Sequence, residues 1–257
     1  MLKFLSLEPE VFGVDINDLS LRIVKLRKNS RGFRLVSVNE VSLASGVVKG
    51  GVIQDENSLI ERLKFACQTV RGEKLNTKYA VVSLPEEKAF FQVIQMPKMT
   101  NAELKSALPY EAENYIPLPL NQVYLDFETI SVSHKAKGVQ HLDVLINAMP
   151  RPIIDSRVIC FKKAGLVPAV LEVESQAIVR ALTQVKEDAN PVMLVDLGFY
   201  NTSLIVFAGS AIRLTSSISV SSQQITQDIA KSLNVNIQEA ETLKIKYGLT
   251  ADGETKH

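Results

Sequence analysis

Two carboxylates suggest the chemistry of this chain. Asp15 lies in the apolar run Phe12-Gly13-Val14-Asp15-Ile16, and Asp196 in Met193-Leu194-Val195-Asp196-Leu197. Each run reads as a buried strand and leads through a short turn into a second apolar strand, 19–26 or 202–207. A third strand follows in both places, 33–41 and 211–216. The two stretches lie too far apart for a solenoid or propeller repeat. One fold unit used twice would instead face its two acidic turns across a shared cleft. There the carboxylates could fix the waters of a Mg²⁺ ion while turn N–H groups meet the phosphate oxygens of a nucleotide. Two unrelated hairpins that happen to contain Asp fit the residues equally well.

Other reactive side chains are scattered. His134 falls in a polar loop, His141 opens a strand and His257 is the last residue, so no pair has metal-ligand spacing. Cys67 and Cys160 sit apart in apolar helical contexts and read as buried thiols. Sequence alone places no Glu or Gln as a base for hydrolysis. The net charge of +1 gives no reason for a sequence-independent grip on nucleic acid or an anionic membrane. No apolar run approaches the roughly 18 residues of a membrane helix, and the start of the chain is too short and too acidic for a signal peptide. Lone cysteines in an ordinary globular composition lead to a cytoplasmic expectation.

The elements that must position the two turns can be read in order. After the first meander, helical spacing of Leu59, Ile60, Leu63, Ala66 and Val70 predicts a helix over 56–70, and 79–84 is a short buried strand closed by Pro85. The rhythm then changes: a strand over 90–96, a helix opened by the capping box Thr100-Asn101-Ala102-Glu103, and a strand over 123–132. Pro109 falls inside that helix, where a kink is expected. This block, 87–138, reads as an inserted α+β subdomain, with its aromatic residues building its core and 133–138 as a loop. A first lobe is then expected over 1–86 and 139–188. Its second part holds a strand over 142–149, a helix over 153–164, a strand over 167–173 and a helix over 175–185. A hinge at 188–191 leads into a second lobe, 189–257, with helices capped by Ser221 and Asn236 and an unstructured tail from 251.

In this order the pieces resemble the PilM family of type IV pilus assembly proteins, actin-like relatives of the cell-division protein FtsA. The most specific block is Glu111-Ala112-Glu113-Asn114-Tyr115-Ile116-Pro117-Leu118-Pro119-Leu120. Gly13-Val14-Asp15-Ile16, Val81-Val82-Ser83-Leu84-Pro85, Val195-Asp196-Leu197-Gly198 and Ile237-Gln238-Glu239-Ala240-Glu241 flank it in the expected places. The resemblance implies an α/β, actin-like (duplicated ribonuclease H-like) fold with an inserted subdomain and an incomplete second lobe. It also implies ATP with Mg²⁺ held between Asp15, Asn17, Asp18, Ser20 and Arg22 of the first turn and Asp196, Gly198, Phe199, Asn201 and Thr202 of the second. Asp15 and Asp196 would reach the metal through water.

Asn17 stands where the family has Gly; Asn tolerates the left-handed region, so the turn is expected to survive. Gly198 would allow close backbone approach to a phosphate, although Gly is common in turns for conformational reasons alone. Ser20, Thr202 and Arg22 also fit plain strand-edge roles. The implied partner is the N-terminal tail of a PilN-like inner-membrane protein, which would hold the chain at the membrane. Tyr115, Ile116 and Leu118 are candidates for its groove, expected between the insert and the first lobe, or else core. Two further functions stay open: an actin-fold phosphotransferase acting on a small metabolite, and an interaction module without nucleotide.

Overall fold

The computed structural model describes residues 9–30, 32–130, 141–183, 190–209 and 211–249. The expected loop at 133–138, the start of the hinge at 188–189 and the tail from 251 lie outside them. The chain opens with an antiparallel meander of β1 (Phe12–Ile16), β2 (Ser20–Asn29) and β3 (Gly32–Ser42), in which Asp15 faces Arg22 and Arg22 faces Glu40. A small hairpin, β4 (Val48–Lys49) and β5 (Val52–Ile53), leads into α1 (Glu56–Gln68). Asp55 caps α1 by accepting the Ser58 N–H at 3.0 Å. The short β6 (Arg71–Gly72) borders β3, and β7 (Tyr79–Leu84) then returns parallel to β1.

The inserted block comprises β8 (Phe90–Pro97), α2 (Asn101–Ala112), β9 (Val123–Ile130) and β10 (His141–Pro150). Its capping box forms as the sequence predicts: Glu103 N–H donates to Thr100 Oγ1, and Thr100 N–H donates to Glu103 Oε2 at 2.7 Å. The helix runs through Pro109 and ends three residues later. Leu104, Leu108 and Ala112 pack on Ile94, Met96, Val144 and Ile146. The aromatics expected in this core divide, with Phe90 packed against it and Tyr110, Tyr115 and Tyr124 exposed.

Strand β10 corrects the expected resumption of the first lobe. It pairs antiparallel with both β8 and β9 and forms the centre of the sheet β8-β10-β9. Its apolar residues announce burial but carry no label for the neighbours that supply it. Elements of the first sheet return only with α3 (Arg151–Lys163) and β11 (Val167–Val173), after which α4 (Glu174–Leu182) follows. Strand β11 completes the six-stranded order β11-β7-β1-β2-β3-β6. One face of this sheet, with Phe12, Val14, Ile16, Leu21 and Ile23, packs on Leu59 and Leu63 of α1 and Cys160 and Phe161 of α3. Burial pushes both thiols up to about 11, so neither Cys160 nor the half-buried Cys67 is a ready nucleophile.

The second meander, β12 (Val192–Leu197), β13 (Thr202–Ala208) and β14 (Ala211–Ile218), forms its own three-stranded sheet. Asp15 and Asp196 therefore belong to separate sheets. Helices α5 (Ser222–Leu233) and α6 (Ile237–Tyr247) follow, capped by Ser221 and Asn236. The insert packs against α4 and the second meander. Leu145 and Ile130 on its second face meet Val179 of α4 and Ile205, Phe207, Ala211 and Ile212 of the second meander in one cluster. Among the described residues no helix is long and apolar enough to cross a membrane.

Candidate functional site

The first turn is stabilised by a side chain. Asn17 Oδ1 accepts the N–H groups of Leu19 at 2.9 Å and Ser20 at 2.8 Å, closing an Asx-type turn. The turn survives with Asn17, as expected, but without the left-handed conformation: among described non-glycine residues only Asn234 has positive φ. The two N–H groups that would face an anion are already taken. The buried Ser20 places its hydroxyl 3.3 Å from the same Asn17 oxygen.

Asp18 points away from the turn mouth, accepting the N–H groups of Gly50 at 2.6 Å and Gly51 at 3.0 Å. Gly51 has φ +71, and a Cβ there would lie 2.4 Å from Pro85 Cβ, so no other residue fits. Arg22 is drawn to Glu40, with Nε to Oε1 at 3.0 Å, and lies 3.8 Å from Asp15.

The second turn is built from backbone. Gly198 N–H donates to the Asn201 carbonyl at 2.9 Å, and a Cβ on Gly198 would meet that oxygen at 2.6 Å. The carbonyls of Gly198 and Phe199 accept the N–H groups of Ser222 and Gln223, filling the otherwise open start of α5. Thr202 is buried and donates its hydroxyl to the Val220 carbonyl. The Phe199 and Tyr200 rings meet edge to face. Asp196 is exposed and makes no hydrogen bond or ion pair with a described residue of the first meander.

The two turns approach each other through the expected Asn201 and through Ser83, Glu87 and Glu174, which sequence reading missed as site residues. Asn201 Nδ2 donates to Glu87 Oε2 at 2.9 Å, tying the second turn to the Pro85-Glu86-Glu87 turn after β7. Asp15 accepts the Ser83 hydroxyl at 2.7 Å from β7. Glu174, at the start of α4, completes the junction. Burial pushes its carboxyl up to about 8, and the nearby charges of Asp15, Glu87 and Glu86 push the same way.

Arg157 is fully buried behind this cluster, donating to the Gly51 carbonyl at 2.8 Å and the Ile153 carbonyl at 3.1 Å; burial lowers its pKa to about 10. Pro85 was visible in the sequence as the end of a strand, but nothing local links the turn that follows it to Glu174. Among the described residues no three His, Cys, Asp or Glu side chains are arranged to hold a metal ion. The half-exposed Asp15 fits a water-mediated contact to an ion carried in by a ligand, and not a resident metal site.

A separate cavity of about 350 Å³ opens beside the insert. Phe90, Phe91 and Gln92 of β8, Ile146 of β10 and the segment Tyr115-Ile116-Pro117 line it, together with Ala89 and Thr215 of β14. Tyr115 is half-exposed and Ile116 buried, so the latter serves both cavity and core. Leu118 packs against the insert core and is not among the lining residues.

The model of the family described as type IV pilus assembly protein PilM matches residues 13–256. The PilM chain of a solved PilM–PilN type IV pilus biogenesis complex aligns with TM-score 0.79 and 26% identity, over 95% of this chain and 72% of that one. EutJ from Carboxydothermus hydrogenoformans shares the fold, with TM-score 0.52 and 17% identity, over 92% of this chain and 61% of that one. Cell division protein FtsA of Pseudomonas aeruginosa is 34% identical over 101 residues, 37% of this chain and 24% of that protein. FtsA of Enterococcus hirae is 22% identical over 254 residues, 92% of this chain and 57% of that protein. The chain thus spans at most a little over half of these two curated relatives. With its two meanders in separate sheets and the family model matching nearly end to end, the chain belongs to the type IV pilus assembly protein PilM family and has an actin-like fold.

Proposed function

We propose that this chain is a cytoplasmic scaffold of the type IV pilus inner-membrane machinery that docks the N-terminal tail of a PilN-like protein. The observation that carries the reading is the cavity beside Tyr115 and Ile116. It lies in the block most specific to the family, and a PilM chain solved with PilN is 26% identical to this one. The lining residues are uncharged and expose more polar than apolar surface, suited to an extended segment that uses backbone groups as well as side chains. Calorimetry with the PilN segment of that complex tests it. Binding in the micromolar range, weakened about tenfold or more by Tyr115→Ala with little change in melting temperature, is expected. Equal binding by wild type and Tyr115→Ala would move the groove elsewhere.

The nucleotide reading is retained in a reduced form. Asp15 with Ser83, the Asn201–Glu87 tie and the Gly198 turn supply the walls of a cleft, and family membership supports ATP as its ligand. Magnesium would arrive on the phosphates, with Asp15 and Asp196 as water-mediated contacts, and would neutralise phosphate charge there. Because Asn17 and the start of α5 have their N–H groups occupied, weak affinity is expected, and the chain serves as a binding scaffold more than a turnover enzyme. Titration with Mg-ATP that neither Asp15→Ala nor Asp196→Ala weakens would remove this cleft from consideration.

A further inference from the structure

The cavity is not contained within one part of the molecule. Its lining comes from β8, β10 and the 115–117 segment of the insert, except for Ala89 just before β8 and Thr215, which comes from the second meander. What holds Thr215 there is therefore part of the site. Two residues before it, Arg213 occupies the place where the β13–β14 register shifts: Val206 faces Leu214 and Phe207 faces Ile212, leaving Arg213 as the extra residue. Such a bulge re-aims a side chain out of the regular ladder. Arg213 Nη1 donates to Asp143 Oδ2 of β10 at 3.1 Å, while its Nε donates to the Ala208 carbonyl at 2.9 Å.

The partner carboxylate is well shielded. Asp143 is 18% exposed at its side chain and Arg213 30%, so the pair is screened less than a surface ion pair. Among the described residues, His141 also lies close, 3.5 Å from the other Asp143 oxygen. Around the pair, Leu145, Ile205, Phe207 and Ile212 form the apolar seam on which the insert meets the second meander.

We infer that the Arg213–Asp143 ion pair is the positioning element of the cavity: it keeps Thr215 against β8, so occupancy of the cavity and docking of the second meander on the insert are linked. The inference rests on the reading that this cavity receives the partner's tail. A segment presenting an uncharged, apolar side chain binds best when the second meander is docked, because only then is the wall complete. Binding must then favour docking in return, since coupling between two equilibria is reciprocal. Neither Arg213 nor Asp143 lines the cavity, so their effect on binding passes through this geometry.

Three forms of the chain test it: wild type, Arg213→Gln, and the exchanged pair Asp143→Arg with Arg213→Asp. Amide hydrogen exchange of residues 89–92 and 115–116 is read in each without ligand. Affinity for the PilN segment of the solved complex is then measured by calorimetry. Arg213→Gln is expected to speed exchange in both segments and to weaken the segment about five- to fiftyfold. The exchanged pair should recover part of both. Unchanged exchange and unchanged affinity in a folded Arg213→Gln would overturn the inference while leaving tail docking intact. If the wild type does not bind the segment, the tail-docking reading fails, and exchange alone decides whether the ion pair shapes the cavity. Should Arg213→Gln fail to fold, the exchanged pair decides, since a folded exchanged pair with wild-type exchange supports the linkage and one with a loosened cavity overturns it.

Discussion

The two meanders share a strand pattern and differ in what covers them. Aligning Asp15 with Asp196 sets Phe12, Val14 and Ile16 against Met193, Val195 and Leu197. The first three are at most 3% exposed, under α1 and α3; the second three are 64%, 57% and 51% exposed. Strand β1 also has a parallel neighbour, β7, on its outer edge, whereas β12 pairs with β13 alone among the described residues. Alternation and turn chemistry were enough to build both sheets. Burial, and with it most of the stabilisation from apolar area, depends on elements that the meander itself does not encode.

The sharpest way to break that comparison is to put the same charge in both strands. Val14→Asp buries an unpaired carboxylate against α1 and is expected to cost more than about 4 kcal/mol, unfolding the chain. Val195→Asp leaves its charge in water and should fall within about 1 kcal/mol of wild type. Urea unfolding followed by circular dichroism measures both. A Val195→Asp loss as large as that of Val14→Asp would mean the second face is covered in solution.

Electrostatics separates the copies as well. Burial first, and then the charge of Asp15 in the first copy, push the Glu174 carboxyl up to about 8 from the usual 4.5, because its charged form is disfavoured in the fold. Its contribution to stability is fully present below about pH 4.5 and lost as pH rises toward 8, where the folded chain must release a proton that the unfolded chain has already lost. Stability should therefore fall by about 3 kcal/mol between pH 6 and 9. Glu174→Gln should flatten that dependence, and Asp15→Asn should reduce it, while Asp196→Asn should not change it. A wild-type stability independent of pH over this window would show that the carboxyl is solvated.

Much of the architecture could be read locally. Tyr79–Leu84, the Thr100–Glu103 box, Val167–Val173 and the caps at Ser221 and Asn236 all form where the sequence placed them. Each rests on a periodicity or a cap that is complete within a few residues. Strand β10 was expected with the first lobe and pairs instead with β8 and β9, because partner choice is set by distant residues. The site divides in the same way. Asp15, Asn17 and Gly198 stand at turns that their own neighbours announce. Glu87, Glu174 and Arg213 matter through partners 70 or more positions away, and no local pattern reveals such pairings. Asp18 shows the converse: a carboxylate in the right turn is drawn off by the backbone of Gly50 and Gly51.

The two turns can be compared directly, since one closes through a side chain and the other through backbone. Gly198→Ala would set a Cβ 2.6 Å from the Asn201 carbonyl and should cost about 1–3 kcal/mol. The Asn201–Glu87 tie should loosen with it, since the same residue makes both contacts. Thermal unfolding gives the first effect, and faster amide exchange over 198–202 the second. A fully stable Gly198→Ala would show that the turn relaxes more freely than its geometry indicates.

The smallest expected change carries the most information about the cleft. Asn17→Gly removes the oxygen that now accepts the Leu19 and Ser20 N–H groups. Stability should fall by about 1 kcal/mol, the usual loss of a local side-chain-to-backbone bond together with the entropy of a new glycine. The two freed N–H groups would then be able to donate to an anion in place of the lost side-chain carbonyl. If the side chain is what weakens phosphate contact at the first turn, Mg-ATP affinity should rise severalfold in Asn17→Gly, even though the protein becomes slightly less stable. Stability and affinity moving in opposite directions is a result that nonspecific loosening would not give. Calorimetric titration of both forms at one salt concentration separates these outcomes, and an affinity that falls with stability would mean Asn17 supports the ligand instead of occupying its place.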